Sequence, residues 1–249
     1  MRELVDGAVR AYVESLSLAE DDVLAQVRRR SKADGVPALD GQTARFLRLL
    51  ASAMSARRIL EIGTGYGYSG IHLAHAMPAD GLLFTFELNP ERAAVARQHF
   101  AHAGIADRVN VMVGDASRLL HKVAGPFDFI FQDGDKLGYE PMLDRIVALL
   151  RPGGMLATDN VLWSGDVVPG FSQCPDSDVR PSIPDGESFS AVAPSDPGTA
   201  LPAAADGPGN RGGRQPPHHD PATIDAIAGY NRRLAADPRL MTTVIPIGD

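Results

Sequence analysis

The chain has 249 residues, 44% hydrophobic and 22% charged, with a formal net charge of −7. That length accommodates one large domain with a full core, and the acidic balance argues against a broad nucleic-acid footprint, which needs clustered Lys and Arg. A single cysteine, Cys174, excludes an internal disulfide and argues against a zinc–thiolate site.

The amino terminus, Met1-Arg2-Glu3-Leu4-Val5-Asp6, lacks the apolar core of a signal peptide. No uncharged apolar run approaches membrane-spanning length, so a cytoplasmic protein with no membrane partner is expected. Residues from about 3 to 56 read as helices, because apolar residues recur at three- and four-residue spacing: Val23, Leu24, Val27, then Phe46, Leu47, Leu49, Leu50. The one compact basic cluster, Arg28-Arg29-Arg30, is placed at a helix end, where it complements the macrodipole.

From Arg58 the pattern becomes strand–helix alternation. Ile59–Ile62 reads as a strand, followed by a glycine-rich turn and a helix near Ser69–Met77. Leu82–Glu87 is the next strand, and Asn89-Pro90 opens a helix to about Ala103, with Pro90 at a tolerated first position. Further strands are expected at Val109–Val113, Phe127–Phe131 and Met155–Thr158, the last after a turn at Pro152-Gly153-Gly154, with helices near Ala116–His121 and Tyr139–Leu150. This alternation implies a parallel sheet covered on both faces.

Gly165 to Pro221 breaks the rhythm. Eleven of the nineteen prolines lie from Pro169 to Pro221, and such a segment lacks the apolar residues to offset its ordering entropy. It reads as a mobile or disordered insertion; the rival reading is a substrate lid. A helix from Ala222 to about Ala236 and a strand from Leu240 to Ile247 follow. The expected organisation is one domain over residues 1–249. Within it, 1–56 supplies N-terminal helices, 57–165 the binding core, 166–221 the insertion, and 222–249 a closing helix and strand.

Five strand ends carry the chemistry. Glu61-Ile62-Gly63-Thr64-Gly65-Tyr66-Gly67 joins a strand to a helix, so backbone amides and a helix start can approach a ligand. Glu87 ends the second strand, where a carboxylate can accept ribose hydroxyls. Gly65-Tyr66-Gly67-Tyr68-Ser69-Gly70 matches the dinucleotide pattern. Its first glycine comes later than a tight pyrophosphate turn prefers, and Glu61 would repel a pyrophosphate. Glu61 suits instead the ammonium of S-adenosylmethionine, with a purely structural turn as the competing reading. Gly114-Asp115-Ala116 either meets an adenine edge or caps the next helix, and the two roles are compatible.

The remaining two strand ends bear Asp133 and the pair Asp159-Asn160. If these strands are neighbours, three oxygen donors meet at one sheet edge, a set suited to a hard cation such as magnesium. Turn chemistry is the alternative for Asp-Asn. Trp163 serves either as an aromatic wall for a planar substrate or as packing. His72 and His75 share a helix face and read as solvated or packed.

Leu60-Glu61-Ile62-Gly63-Thr64-Gly65, Phe84-Thr85-Phe86-Glu87-Leu88-Asn89-Pro90, Asp133-Gly134-Asp135-Lys136 and Asp159-Asn160-Val161-Leu162-Trp163-Ser164-Gly165 resemble the cation-dependent O-methyltransferases. That family includes caffeoyl-coenzyme A and catechol enzymes and related bacterial methyltransferases. The likeness covers roughly Leu39 to Gly165 and resumes from Tyr230-Asn231 to Pro246-Ile247-Gly248-Asp249. It implies an α/β, Rossmann-like class I methyltransferase fold, with a mostly parallel central sheet, helices on both faces and an N-terminal helical cap. It implies that Asp133, Asp159 and Asn160 hold magnesium or another divalent cation such as manganese or calcium. Lys136 is then the base or charge partner, working beside Asp133. Glu61, Gly63, Gly65, Ser69, Glu87, Asp115, Ala116 and Asp133 line the S-adenosylmethionine site. The implied partners are a small phenolic acceptor and, as in many look-alikes, a second copy in a homodimer.

The chemistry fits. A phenol with a pKa of about 10 is only roughly one part in a thousand ionised at neutral pH. Binding a catechol to a dication recovers most of that factor, worth about 4 kcal/mol. Two departures from the family stand out. The insertion after Gly165 is far longer than usual, and family members continue past the Gly-Asp pair into a final antiparallel strand that is missing here. Truncation, replacement by a dimer partner or by the insertion, and loss of function are all compatible with that. The leading expectation is a magnesium-dependent methyl transfer to a vicinal dihydroxy aromatic. The alternatives are a tRNA hydroxyuridine methyltransferase and a silent S-adenosylmethionine-binding protein; a NAD oxidoreductase would leave the three oxygen donors without a task.

Overall fold

Short runs rich in branched and aromatic residues form five strands: β1 (Arg58–Ile62), β2 (Leu82–Glu87), β3 (Val109–Val113), β4 (Phe127–Gln132) and β5 (Leu150–Thr158). The computed structural model describes residues 7–17, 19–168 and 220–246. Every strand pair is parallel and the sheet order is β3-β2-β1-β4-β5. Parallel neighbours need crossovers, supplied by α4 (Tyr68–Ala76), α5 (Pro90–His102), α6 (Ala116–Leu119) and α7 (Tyr139–Leu149). Before the sheet come α1 (Gly7–Ser15), α2 (Asp22–Asp34) and α3 (Gly41–Ala53); after it comes α8 (Pro221–Ala236).

Helix starts follow the cap rule. Asp21, Asp40, Asn89, Asp115 and Asp220 each accept a backbone N–H in the first turn of the helix they precede. The period of two along β1 sends Ile59 into a core shared with α2, α3, α4 and α5, and Leu60 and Ile62 into a second core with α6 and α7. Helices therefore cover both faces, as the alternation predicts. A third, small cluster joins Tyr139 and Leu143 of α7 to Tyr230 of α8.

The strand order reverses between β1 and β4. In open α/β sheets that switch point opens a crevice at the carboxyl ends of the strands, where the four sequence motifs now lie.

Two predicted elements differ. Pro152-Gly153-Gly154 does not precede the fifth strand but lies within it: Leu150 pairs with Phe127, and pairing resumes at Met155 with Phe129. The residues between form a bulge, with Gly153 at φ 71°. The predicted strand from Leu240 is not a strand over its described residues, 240–246. Leu240 packs beside Tyr230, but Met241, Val244 and Ile245 are exposed. Its β-rich composition has no ladder partner among the described residues, and without one an extended segment gains no sheet hydrogen bonds. The insertion and lid readings, 166–221, lie outside the described residues except at 166–168 and 220–221, where α8 already begins at Pro221; Ile247–Asp249 likewise lie outside. Among the described residues no helix is long and apolar enough to cross a membrane.

Candidate active site

A cavity of about 890 Å³ lies over the carboxyl ends of β1, β2, β4 and β5. Its floor is the glycine-rich turn. Gly63 has φ 104°, and a Cβ there would sit 2.4 Å from the backbone oxygen of Asp133, so only glycine lets β1 and β4 close at this point. The amides of Gly63 and Thr64 donate to Phe86 O at 3.0 and 3.1 Å, which ties the turn to β2. Tyrosines tie the turn and the start of α4 to α2: Tyr66 donates to Asp34 at 2.8 Å, and Tyr68 accepts from Arg28 and donates to Glu20, just before α2.

Glu87 stands at the end of β2. Its Oε2 accepts the Gly65 amide at 2.8 Å and its Oε1 the Asn89 amide at 2.9 Å. Each oxygen keeps a further lone pair able to accept a hydrogen bond, and Glu87 lines the cavity, so its carboxylate can take a diol. Asp115 caps α6, accepting from the amide and hydroxyl of Ser117, and lines the cavity with Gly114 and Ala116. Those Ser117 hydrogen bonds hold its carboxyl below the usual carboxylate range. The cap and cavity roles thus coexist in one side chain.

Glu61 is set one layer deeper. It is fully buried and does not line the cavity wall; Ser69, which does, donates to it, as does Thr85 at 2.6 Å. Burial pushes its pKa up to about 7, opposed by those two hydroxyls and reinforced by the charges of Asp133 and Glu87. A cation bound nearby would be met by a carboxylate with little hydration to lose.

The other end of the cavity is built from β4 and β5. Gln132 and Thr158 are the last paired residues, and the Asp159 amide donates to Gln132 O at 3.1 Å. Asp133 and Asp159 are each one residue beyond that pair, on strands that run roughly 5 Å apart. Asp133, Asp159, Asn160, Lys136 and Trp163 all line the same cavity as the glycine turn. Lys136 Nζ bonds Asp133 Oδ1 at 2.9 Å and Gly134 O at 3.1 Å. Burial raises the Asp133 carboxyl above its ordinary range, with Lys136 pulling the other way; the side chain is still a quarter exposed, which limits the push.

Among the described residues no three His, Cys, Asp or Glu side chains form a cluster able to hold a metal. The donor set at this edge is instead two carboxylates and one amide. That chemistry fits a hard, oxygen-seeking cation and not zinc or a soft metal.

The loop after β5 is unusual. Asn160, Trp163 and Ser164 all have positive φ, at 58°, 47° and 53°. Asparagine tolerates this region; tryptophan rarely does. Such strain persists only where surroundings impose it. Residues given no site role from sequence contact the loop here. Tyr139 OH donates to Asp159 O at 3.2 Å, and Asn231 Nδ2 of α8 donates to Val161 O at 2.7 Å. Arg92, Ser117, Tyr66 and Tyr68 on the cavity wall were also unanticipated. The tyrosines could have been read from their alternation with Gly65 and Gly67; Arg92 could have been read from its place in the first turn after Asn89-Pro90. His72 is packed, as expected: burial, with Arg48 nearby, lowers its pKa to about 4.

Sequence and structure comparisons agree on the family. A family profile described as O-methyltransferase matches residues 14–179. A catechol O-methyltransferase of Niastella koreensis is 34% identical over 198 residues, covering 77% of this chain and 87% of that protein. A catechol O-methyltransferase of Mycobacterium tuberculosis is 40% identical over 163 residues, covering 64% and 74%. The crystal structure of an O-methyltransferase from Bacillus cereus, in complex with SAH, superimposes with a TM-score of 0.68 at 27% identity, covering 93% of this chain and 86% of that one. With a parallel sheet, a glycine turn at its switch point and an acid at the end of β2, the chain belongs to the O-methyltransferase family, as an S-adenosylmethionine-dependent enzyme of the Rossmann-like α/β class.

Proposed function

We propose that the enzyme methylates one hydroxyl of a catechol-like, vicinal dihydroxy aromatic, with a divalent cation held by Asp133, Asp159 and Asn160. One observation carries this reading: the register of β4 and β5 sets Asp133 and Asp159 side by side, on a cavity whose other end is the glycine turn. The names of two relatives, both catechol O-methyltransferases, support the acceptor class.

The cofactor's ribose fits Glu87, its adenine edge fits Asp115 and Ala116, and its ammonium fits the Ser69–Glu61 pair beneath the turn. A bound dication supplies positive charge that lowers the pKa of a phenolic hydroxyl. Lys136 Nζ, beside Asp133, is placed to take the hydroxyl proton or to balance the charge that remains. Trp163, on the same wall, offers a flat face to a ring. The wall carries Asp40, Glu87, Asp115, Asp133, Asp135 and Asp159 against Arg92 and Lys136. That acidic lining favours a neutral or cationic small acceptor over a nucleic acid.

The test is transfer of a labelled methyl group to catechol, with magnesium or with excess chelator, alongside tRNA that carries hydroxyuridine. Cation-dependent labelling of catechol alone is expected. Undiminished transfer in chelator would remove the cation from the reaction, and labelling of tRNA alone would replace the acceptor.

A further inference from the structure

Helix α8 is far from the cation edge in sequence but touches the chain beside all three proposed ligands. Tyr230 OH lies 2.9 Å from Thr158 Oγ1 and donates to Gln132 Oε1 at 2.9 Å. Thr158 precedes Asp159 and Gln132 precedes Asp133. The next residue of the helix, Asn231, donates to Val161 O, immediately after Asn160. Two consecutive side chains of one helix thus hold the end of β4, the end of β5 and the strained loop between Asn160 and Trp163.

The helix has a firm mounting for that task. Tyr230 is fully buried against Tyr139, with ring centroids 5.3 Å apart. On the outer side Arg233 bonds Glu140 O at 3.2 Å and Asp144, both on α7. Tyr139 adds a second hold from below, donating to Asp159 O. Left-handed backbone at Trp163 is a conformation that a bulky residue rarely adopts unaided. Asn231 supplies a fixed donor to Val161 O, inside that loop.

We infer that Tyr230 and Asn231 are positioning residues that set the spacing of Asp133, Asp159 and Asn160 for a divalent cation. The inference rests on the cation reading above and adds that the grip is imposed by α8, not by the two strands alone. Loss of such an outer contact typically weakens metal affinity about 10- to 100-fold.

The experiment measures manganese affinity by electron paramagnetic resonance and S-adenosylmethionine affinity by calorimetry, on the full chain and on Tyr230→Phe, Asn231→Ala and Asn231→Asp. Tyr230→Phe keeps the ring packing and removes only the hydroxyl; Asn231→Asp keeps the shape and removes the donor. The expected result is about tenfold or more weaker manganese binding in each variant, cofactor affinity unchanged, and turnover restored at high cation concentration. Unaltered manganese affinity in all three variants overturns the inference and leaves the cation reading standing. Parallel loss of both affinities with a lower melting temperature overturns it in favour of a general packing role. A wild-type chain that binds no manganese removes the cation reading, and this inference with it.

Discussion

The glycine-turn end of the cavity is shaped mostly by backbone, and the β4–β5 end mostly by side chains. At the ends of β1 and β2 the contacts are amides of Gly63, Thr64 and Gly65 donating to Phe86 O and Glu87, within a few residues of the strands that carry them. At the ends of β4 and β5 the lining is two carboxylates and an amide, and Tyr139, Tyr230 and Asn231 hydrogen-bond the chain beside them. Backbone sites tolerate many side-chain changes but no change of glycine geometry. Side-chain sites tolerate backbone drift but fail when one distant hydrogen bond is lost. The two halves meet where Gly63 touches the backbone of Asp133.

That contrast can be broken by substitution. The largest effect is expected from Asp159→Ala: methyl transfer to catechol falls about 10³-fold, matching the roughly 4 kcal/mol that charge stabilisation of a phenolate must supply. Cofactor affinity should hold, because no backbone donor of the glycine turn is touched. A matching loss of cofactor binding, read by calorimetry, would show that the halves are not separable. Gly63→Ala should do the reverse and damage both ends. The added methyl has nowhere to go beside Asp133 O, so a destabilisation of about 2–4 kcal/mol is expected in denaturant titration. An unaltered midpoint would mean the close approach is not obligatory.

Glu61 sharpens the comparison through pH. Burial raises it to about 7, so the folded chain binds more protons than the unfolded chain between the ordinary value of 4.5 and about 7. Its contribution to stability is complete below 4.5 and lost as pH rises through 7, about 3 kcal/mol in all. A bound ammonium favours the ionised form, so cofactor affinity should weaken below pH 7, by up to about tenfold per pH unit. Glu61→Gln should flatten both profiles; a variant with the wild-type pH dependence would assign the proton to another group. The smallest effect is expected from Glu87→Ala. Loss of charge-assisted hydrogen bonds to a ribose weakens cofactor binding by about 1.5–3 kcal/mol, with manganese affinity intact. Equal cofactor affinity in the variant and the wild type would move the ribose elsewhere.

The same division explains what was legible in the sequence. The glycine turn, Glu87 and the Asp115 cap could be read because each is a short contiguous stretch whose neighbours fix its geometry. Asp133 and Asp159-Asn160 could be paired because adjacent parallel strands deliver their ends to one edge. The contacts beside them could not: Tyr230 meets Gln132 across 98 residues, and Asn231 meets Val161 across 70. No local pattern carries such contacts. The bulge in β5 was hidden for a related reason, since Pro152-Gly153-Gly154 has the composition of a turn and only ladder pairing with Phe127 places it inside a strand. Residues 240–246 illustrate the opposite error, because alternation and β-branching announce a strand without saying whether a partner exists.

The central claim is that a divalent cation and a methyl donor share one cavity, gripped from opposite ends. Its most direct test is the relaxation of the sulfonium methyl protons of bound S-adenosylmethionine when manganese is added. Strong paramagnetic enhancement is expected in the wild-type chain, and its loss in Asp159→Ala with the cofactor still bound. Wild-type methyl protons that relax no faster with saturating manganese than without it would contradict the account.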